Sequence, residues 1–166
     1  MSAEKRLKDL NIILPKSSPP AGSYSKLVVL DGVAHLSGQG PRNSDGSPIT
    51  GQVPSICSLE DAIAAARNVG LYTLSALKEE LGSLDKVERI IRTFGMVNSA
   101  PGFSEHPKVI DGFSNLMIEV FGEAGRGARS AVGMSSLPFN IAVEVEMTVK
   151  LVAVSYTHLR AHETGR

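Results

Sequence analysis

Toward the C-terminus the chain runs Gly127-Ala128-Arg129-Ser130, then Leu137-Pro138, then Ile141-Ala142-Val143-Glu144-Val145-Glu146. A single guanidinium in a stretch of small residues, followed by a carboxylate at the front of an alternating run, suits a site that grips a small carboxylate by an arginine fork. The glutamate would then position a water or a proton. On spacing alone a solvated loop arginine is the commoner case. Glu144 and Glu146 share a strand face, where two carboxylates can divide acid and base roles if their environments differ. A solvated face salt-bridged to Lys150 accounts for the same pattern. A phosphate loop is excluded: Gly122 and Gly127 have Walker-like separation, but no Lys-Ser/Thr follows.

Other residues with chemical capacity are scattered. Tyr24, in Gly22-Ser23-Tyr24, reads either as a site hydroxyl or as an amphipathic edge residue. Ser37-Gly38-Gln39-Gly40 follows a β-rich run and either presents backbone N–H groups to an anion or makes a plain strand-end turn. His35 lies within a strand and reads as structural; His106, beside Pro107 at a helix start, reads as solvated. Neither has a ligand partner at usable spacing, so no metal site is expected. Cys57 is the single cysteine, which rules out an intrachain disulfide or a thiolate cluster. It precedes a helix, whose dipole would lower a thiol pKa, but no histidine pairs with it in the sequence and it reads as incidental. Ser130 lacks the context of a hydrolase nucleophile.

These residues need a scaffold, and the periodicities supply one. Pro15 to Gly22 is an extended lead-in. Lys26–Leu30 and Val33–Ser37 are β-rich and separated by Asp31-Gly32, a hairpin signal because both turn positions favour positive φ. Pro41 to Pro54 is a loop. Ser58, with Asp61 three residues on, opens a helix whose Leu59, Ile63, Ala66, Gly70, Leu74, Leu77 and Leu81 share one face, and Gly82 stops it. Val87–Asn98 is a strand. Ser104 caps a second helix with Ile110, Phe113, Met117 and Val120 on its apolar face, ended by Gly122. Ser130–Ser135 is a short strand, and Ile141–Val152 alternates with Ile141, Val143, Val145, Met147, Val149 and Leu151 on one side. The order ββ-α-β-α-ββ predicts an α+β two-layer sandwich, a mixed sheet with two helices on one face. Val28, Leu30, Ile91 and Val152 cannot all point at those helices, so apolar sheet surface remains for another subunit to cover.

Bulk composition narrows the function classes. The 166 residues predict one domain over residues 1–153. Residues 154–166 break the preceding pattern; Ser155–Thr164 reads as a translated library adapter and is set aside as a non-native tail. Net charge is zero and aromatics are 5%, so neither nucleic acid nor an anionic membrane is an expected partner. No signal peptide or membrane-spanning run is expected, and a reducing cytoplasm is the natural setting.

From about Pro15 to Leu151 the chain resembles the RidA (YjgF/YER057c/UK114) family. The pieces that carry the resemblance occur in family order: Pro20-Ala21-Gly22-Ser23-Tyr24, Ser37-Gly38-Gln39-Gly40-Pro41, Thr50-Gly51, Arg129-Ser130, Leu137-Pro138 and Val143-Glu144-Val145-Glu146. Leu81–Val87 and Gly95–Asn98 mark a branch distinct from the best-studied deaminases. The resemblance implies a chorismate-mutase-like fold, a homotrimer with clefts between subunits, and hydrolysis of reactive 2-aminoacrylate-type enamines and imines to 2-oxo acids and ammonia. It implies that Arg129 clamps the substrate carboxylate and that Glu144 positions or activates water. Tyr24 would line the pocket, with the Ser37-Gly38 backbone at its border. An electrophilic imine needs only orientation and water, so no cofactor is expected. Three departures from the family pattern bear on the pocket: Gly127 replaces a proline, which would loosen the loop; Ala131 replaces a cysteine; and Asp111 replaces an asparagine, placing negative charge where it would repel a carboxylate. The competing function is a non-catalytic binding protein for a small carboxylate such as a 2-oxo acid. The ribonuclease label also used in the family is the weakest reading for so neutral a chain.

Overall fold

The computed structural model describes residues 1–154; the adapter-like segment falls outside the described residues. The alternation near the C-terminus becomes a nine-residue strand, Val143–Leu151, with Val143, Val145, Met147 and Val149 buried on one side. It is the central strand of a five-stranded sheet. In chain order the strands are β1 (Leu27–Leu30), β2 (Val33–Gln39), β3 (Val87–Asn98), β4 (Ala128–Met134) and β5 (Val143–Leu151), and they lie side by side as β1-β2-β5-β3-β4. Only the β3–β4 pair is parallel. Asp31 (φ 51°) and Gly32 (φ 73°) both take the positive φ that the hairpin requires. β4 begins two residues earlier than the sequence pattern indicates, which brings Arg129 into the strand.

Two long helices, α2 (Leu59–Leu81) and α3 (His106–Phe121), pack against one face. The Ser58 hydroxyl accepts the Asp61 N–H at 3.1 Å, and Gly82 closes α2 in the left-handed conformation, φ 87°. The deepest stripe of α2 is Ala62, Ala66, Val69, Thr73 and Leu77, whereas Leu59, Ile63 and Leu81 are only partly buried. The alanines take the stripe because they let α3 approach closely. α3 is not capped by Ser104. Glu105 precedes its first turn without a side-chain capping bond, and Pro107, which lacks an N–H, removes one donor that a cap would satisfy.

A third helix, α1 (Ala3–Asp9), has only seven residues, too few for a periodic signal. Tertiary contacts hold it. Ala3 and Leu7 are buried, the Glu4 carboxylate accepts the Leu84 N–H at 2.9 Å and pairs with Lys78, and the Glu4 N–H donates to Asp85.

The opposite sheet face carries Val28, Leu30 and Ile91, each at least 40% exposed. The partly buried Phe94 and Met96 stand beside them, because their register partners Glu146 and Glu144 point away from the helices. The apolar surface left over by the two-helix layer is therefore present on the sheet.

Candidate functional site

Glu144 opens the central strand opposite Met96 of β3, on the face away from the helices. Its neighbour on the other side is β2, whose register with β5 slips between Leu36 and Gln39. Gly38 lies in that irregularity, against the Glu144 side chain; a methyl group there would overlap the carboxylate. The Glu144 carboxyl is half-buried. Burial pushes its pKa up, and the nearby Glu146 charge adds to the shift. Glu146, two residues on and sharing the face, is exposed. The pair thus has the unequal environments that divided acid–base roles require.

A cavity of about 720 Å³ lies over this carboxylate, and Tyr24, Ser37, Gly38, Glu144 and Glu146 all line it. The structure thus brings together five of the residues singled out in the sequence: Tyr24, Ser37, Gly38, Glu144 and Glu146. Tyr24 is half-exposed and its hydroxyl accepts the Ala21 N–H at 3.2 Å. The Ser37 hydroxyl donates to the Ser25 carbonyl at 2.6 Å, so its proton is committed. The far wall is Pro138 and Phe139. Phe139 and Asn140 hold φ values of 56° and 57°, which non-glycine residues rarely adopt. Asn98 anchors this turn: it is 3% exposed, and its amide donates to Asn140 Oδ1 at 3.0 Å and to the Ile141 carbonyl at 3.1 Å. Leu137-Pro138 marks the turn in the sequence, but nothing there points to its buried amide anchor.

Arg129 lies elsewhere. It pairs with Thr93 of β3, which is buried toward the helices, and its guanidinium turns to α3. Nη1 donates to Asp111 Oδ1 at 2.7 Å and to the Ser114 hydroxyl at 3.2 Å, while Nη2 reaches the Pro107 carbonyl at 3.5 Å. Three of the five guanidinium N–H groups are thereby used, leaving two for a ligand. Asp111 is thus the counter-ion of the arginine. Arg129 and Glu144 stand on opposite faces of the sheet with β3 between their strands, so one chain does not bring them to one ligand. Ala131, paired with Gly95, packs against the core on the helix side of β4. At Gly127 the backbone packs closely on β3: a Cβ there would meet the Ile90 side chain at 2.8 Å, the Ile90 carbonyl at 3.0 Å and the Ile91 carbonyl at 3.2 Å.

The remaining candidates stay apart from the cavity. His35 is exposed on β2, and His106 stacks edge-on against Phe103 at 5.0 Å. Burial raises the Cys57 thiol pKa, with Asp61 adding to it, opposite to the helix-dipole expectation. Among the described residues no three His, Cys, Asp or Glu side chains are grouped to hold a metal, and no helix is long and apolar enough to cross a membrane. A second groove, about 750 Å³ between α1 and α2, contains none of the candidate residues. Phe139 and Arg42, which also line the main cavity, escaped the sequence reading. Arg42, in the loop after β2, carried no periodic or motif signal.

A mixed β1-β2-β5-β3-β4 sheet backed by two helices, with a carboxyl half-buried on its open face, defines a chorismate-mutase-like α+β protein. The family described as YjgF/chorismate mutase-like, putative endoribonuclease matches residues 4–151, and the chain belongs to this YjgF/RidA family. It is 42% identical over 146 residues to protein TCP17 of Trypanosoma cruzi, covering 87% of this chain and 91% of the relative. Among solved structures it is similar to an Agrobacterium tumefaciens protein of unknown function (38% identity, TM-score 0.81, 90% and 94% of the two chains). A putative endoribonuclease from Shewanella oneidensis is also similar (30% identity, TM-score 0.86, 91% and 100%).

Proposed function

We propose that the protein hydrolyses reactive 2-aminoacrylate-type enamine and imine intermediates to 2-oxo acids and ammonia, at sites shared between subunits of a cytoplasmic homotrimer. The observation that carries this reading is Glu144: a half-buried carboxyl with a raised pKa, held against the Gly38 backbone at the floor of a cavity. A carboxyl so placed exchanges a proton more readily near neutral pH than a solvated one. In the reaction water attacks the carbon of the protonated imine while Glu144 takes one of the water's protons, giving the carbinolamine. Glu144 returns that proton to the carbinolamine nitrogen and takes the hydroxyl proton as the carbon–nitrogen bond breaks, leaving a 2-oxo acid and ammonia. Arg129 of a neighbouring subunit supplies the substrate's carboxylate clamp with its two uncommitted N–H groups. The apolar open face supports assembly of this kind. Zero net charge and sparse aromatics speak against RNA as the substrate.

The test is a coupled reaction in which a dehydratase generates the enamine, and 2-oxo acid formation is followed while semicarbazide competes for the imine. The protein is expected to raise 2-oxo acid yield at the expense of semicarbazone. Arg129→Ala should cost on the order of 2–5 kcal/mol of transition-state binding, with poor rescue by lysine, which lacks the planar fork. Glu144→Gln should keep ligand affinity and lower turnover by roughly 10²–10⁴. Carboxylate binding without turnover by the wild type would make it a binding protein instead.

A further inference from the structure

The cavity above Glu144 has a volume of about 720 Å³ in the single chain. Its lining includes one cation without a carboxylate partner. Arg42 is fixed in place: its N–H donates to Asn68 Oδ1 of α2 at 2.8 Å, Arg42 bridges to Pro48, and the Ile49 N–H donates to the Pro41 carbonyl. Its guanidinium makes a single hydrogen bond, from Nη1 to the Gly46 carbonyl at 3.2 Å. Among the described residues none of its nitrogens lies within 4.0 Å of an Asp or Glu oxygen, and none is a buried orphan; Arg6 Nε is the one such atom. The other lining cation, Lys26, is already taken by Glu79 and Ser17. The cavity lining therefore combines a half-buried carboxyl group with a guanidinium that has no carboxylate partner among the described residues.

We propose that Arg42 sets the specificity of this cleft by receiving a second anionic group at the side-chain end of the substrate, so that the preferred substrates are imines of amino acids with acidic side chains. The inference rests on the deaminase reading for its chemistry, but the predicted ligand class can be checked without turnover.

An amino-acid oxidase reaction supplies the imines of alanine, aspartate and glutamate for the semicarbazide competition, and NMR titration with pyruvate and 2-oxoglutarate reads binding alone. The wild type is expected to favour the dicarboxylic imines and to bind 2-oxoglutarate more tightly than pyruvate. In Arg42→Ala the ratio of dicarboxylic to monocarboxylic kcat/KM should fall about 10–100-fold, the value of a charge-assisted hydrogen bond. Arg42→Lys, which keeps the charge and loses the fork, should lie between. A wild type indifferent to the second carboxylate overturns the inference. So does an Arg42→Ala variant that loses both substrate classes equally, since Arg42 would then hold the carboxylate common to both. Arg42-dependent 2-oxoglutarate binding without imine hydrolysis would sustain the ligand class while removing the deaminase reading. No binding of either 2-oxo acid would remove both.

Discussion

At the scale of single residues, Glu144 carries a thermodynamic cost that can be measured. Burial, with help from Glu146, raises its pKa in the folded protein above the ordinary value near 4.5. Between the two values the native state holds more protons than the unfolded state, so stability falls as pH rises through that window, and the deficit persists above it. Glu144→Gln, which cannot ionise, is therefore expected to be more stable than wild type at pH 7.5, with the gap closing below about pH 4.5. Urea midpoints at the two pH values check this; a variant less stable at pH 7.5 would show that the carboxylate is stabilised by its surroundings. The sequence made Glu144, Tyr24, Ser37 and Gly38 legible because they sit in or just before strands, in family order. Asp111 was legible only as an unwelcome charge, since its ion pair with Arg129 joins residues 18 apart on different elements. Arg42 was silent because a loop side chain has no periodicity to declare where it points.

At the scale of elements, both long helices and β5 were legible because each buries a periodic apolar stripe, and β1 and β2 because Asp31-Gly32 separates two β-rich runs. α1 was missed because its stability lies in Glu4, Ala3 and Leu7 contacts made across the fold. The central and edge strands now make a dynamic distinction. β5 is hydrogen-bonded on both sides by β2 and β3, whereas β4 has β3 alone. Amides of Val143, Val145, Met147 and Val149 should exchange with solvent only through global unfolding. The outward-facing half of the β4 amides should exchange faster by orders of magnitude, because no strand of the chain pairs with them. Equal protection of the two strands by hydrogen-exchange mass spectrometry would show that another subunit's backbone covers the β4 edge.

At the scale of the whole molecule, Arg129 and Glu144 stand on opposite faces of the sheet, so the proposed reaction needs a neighbouring subunit. If each cleft takes its arginine from one subunit and its glutamate from the next, two inactive parents can rescue one another. Denaturing Arg129→Ala and Glu144→Gln chains together and refolding them as a 1:1 mixture should restore about a quarter of wild-type activity, since random cyclic assembly gives that share of clefts two intact contributors. Activity no higher than the parents would mean that the two residues do not share a cleft. A monomer by light scattering would remove the shared cleft altogether. The sequence showed that apolar surface was left over, but which side chains meet across it depends on register and strand order, which no short motif encodes.

The β1 edge has a consequence for solubility. Leu27–Leu30 is a hydrophobic strand with only β2 beside it, and Val28, Val29 and Leu30 are about half or more exposed. An isolated chain therefore offers a short, flat template on which other chains can add strands. The charges flanking it, Lys26 and Asp31, act as gatekeepers against such growth, but the Lys26 ammonium is tied to Glu79 and Ser17. Asp31 thus carries much of the protection, at a turn position whose φ of 51° glycine would adopt with less strain. The substitution that eases this hairpin is also the one that leaves its edge least guarded.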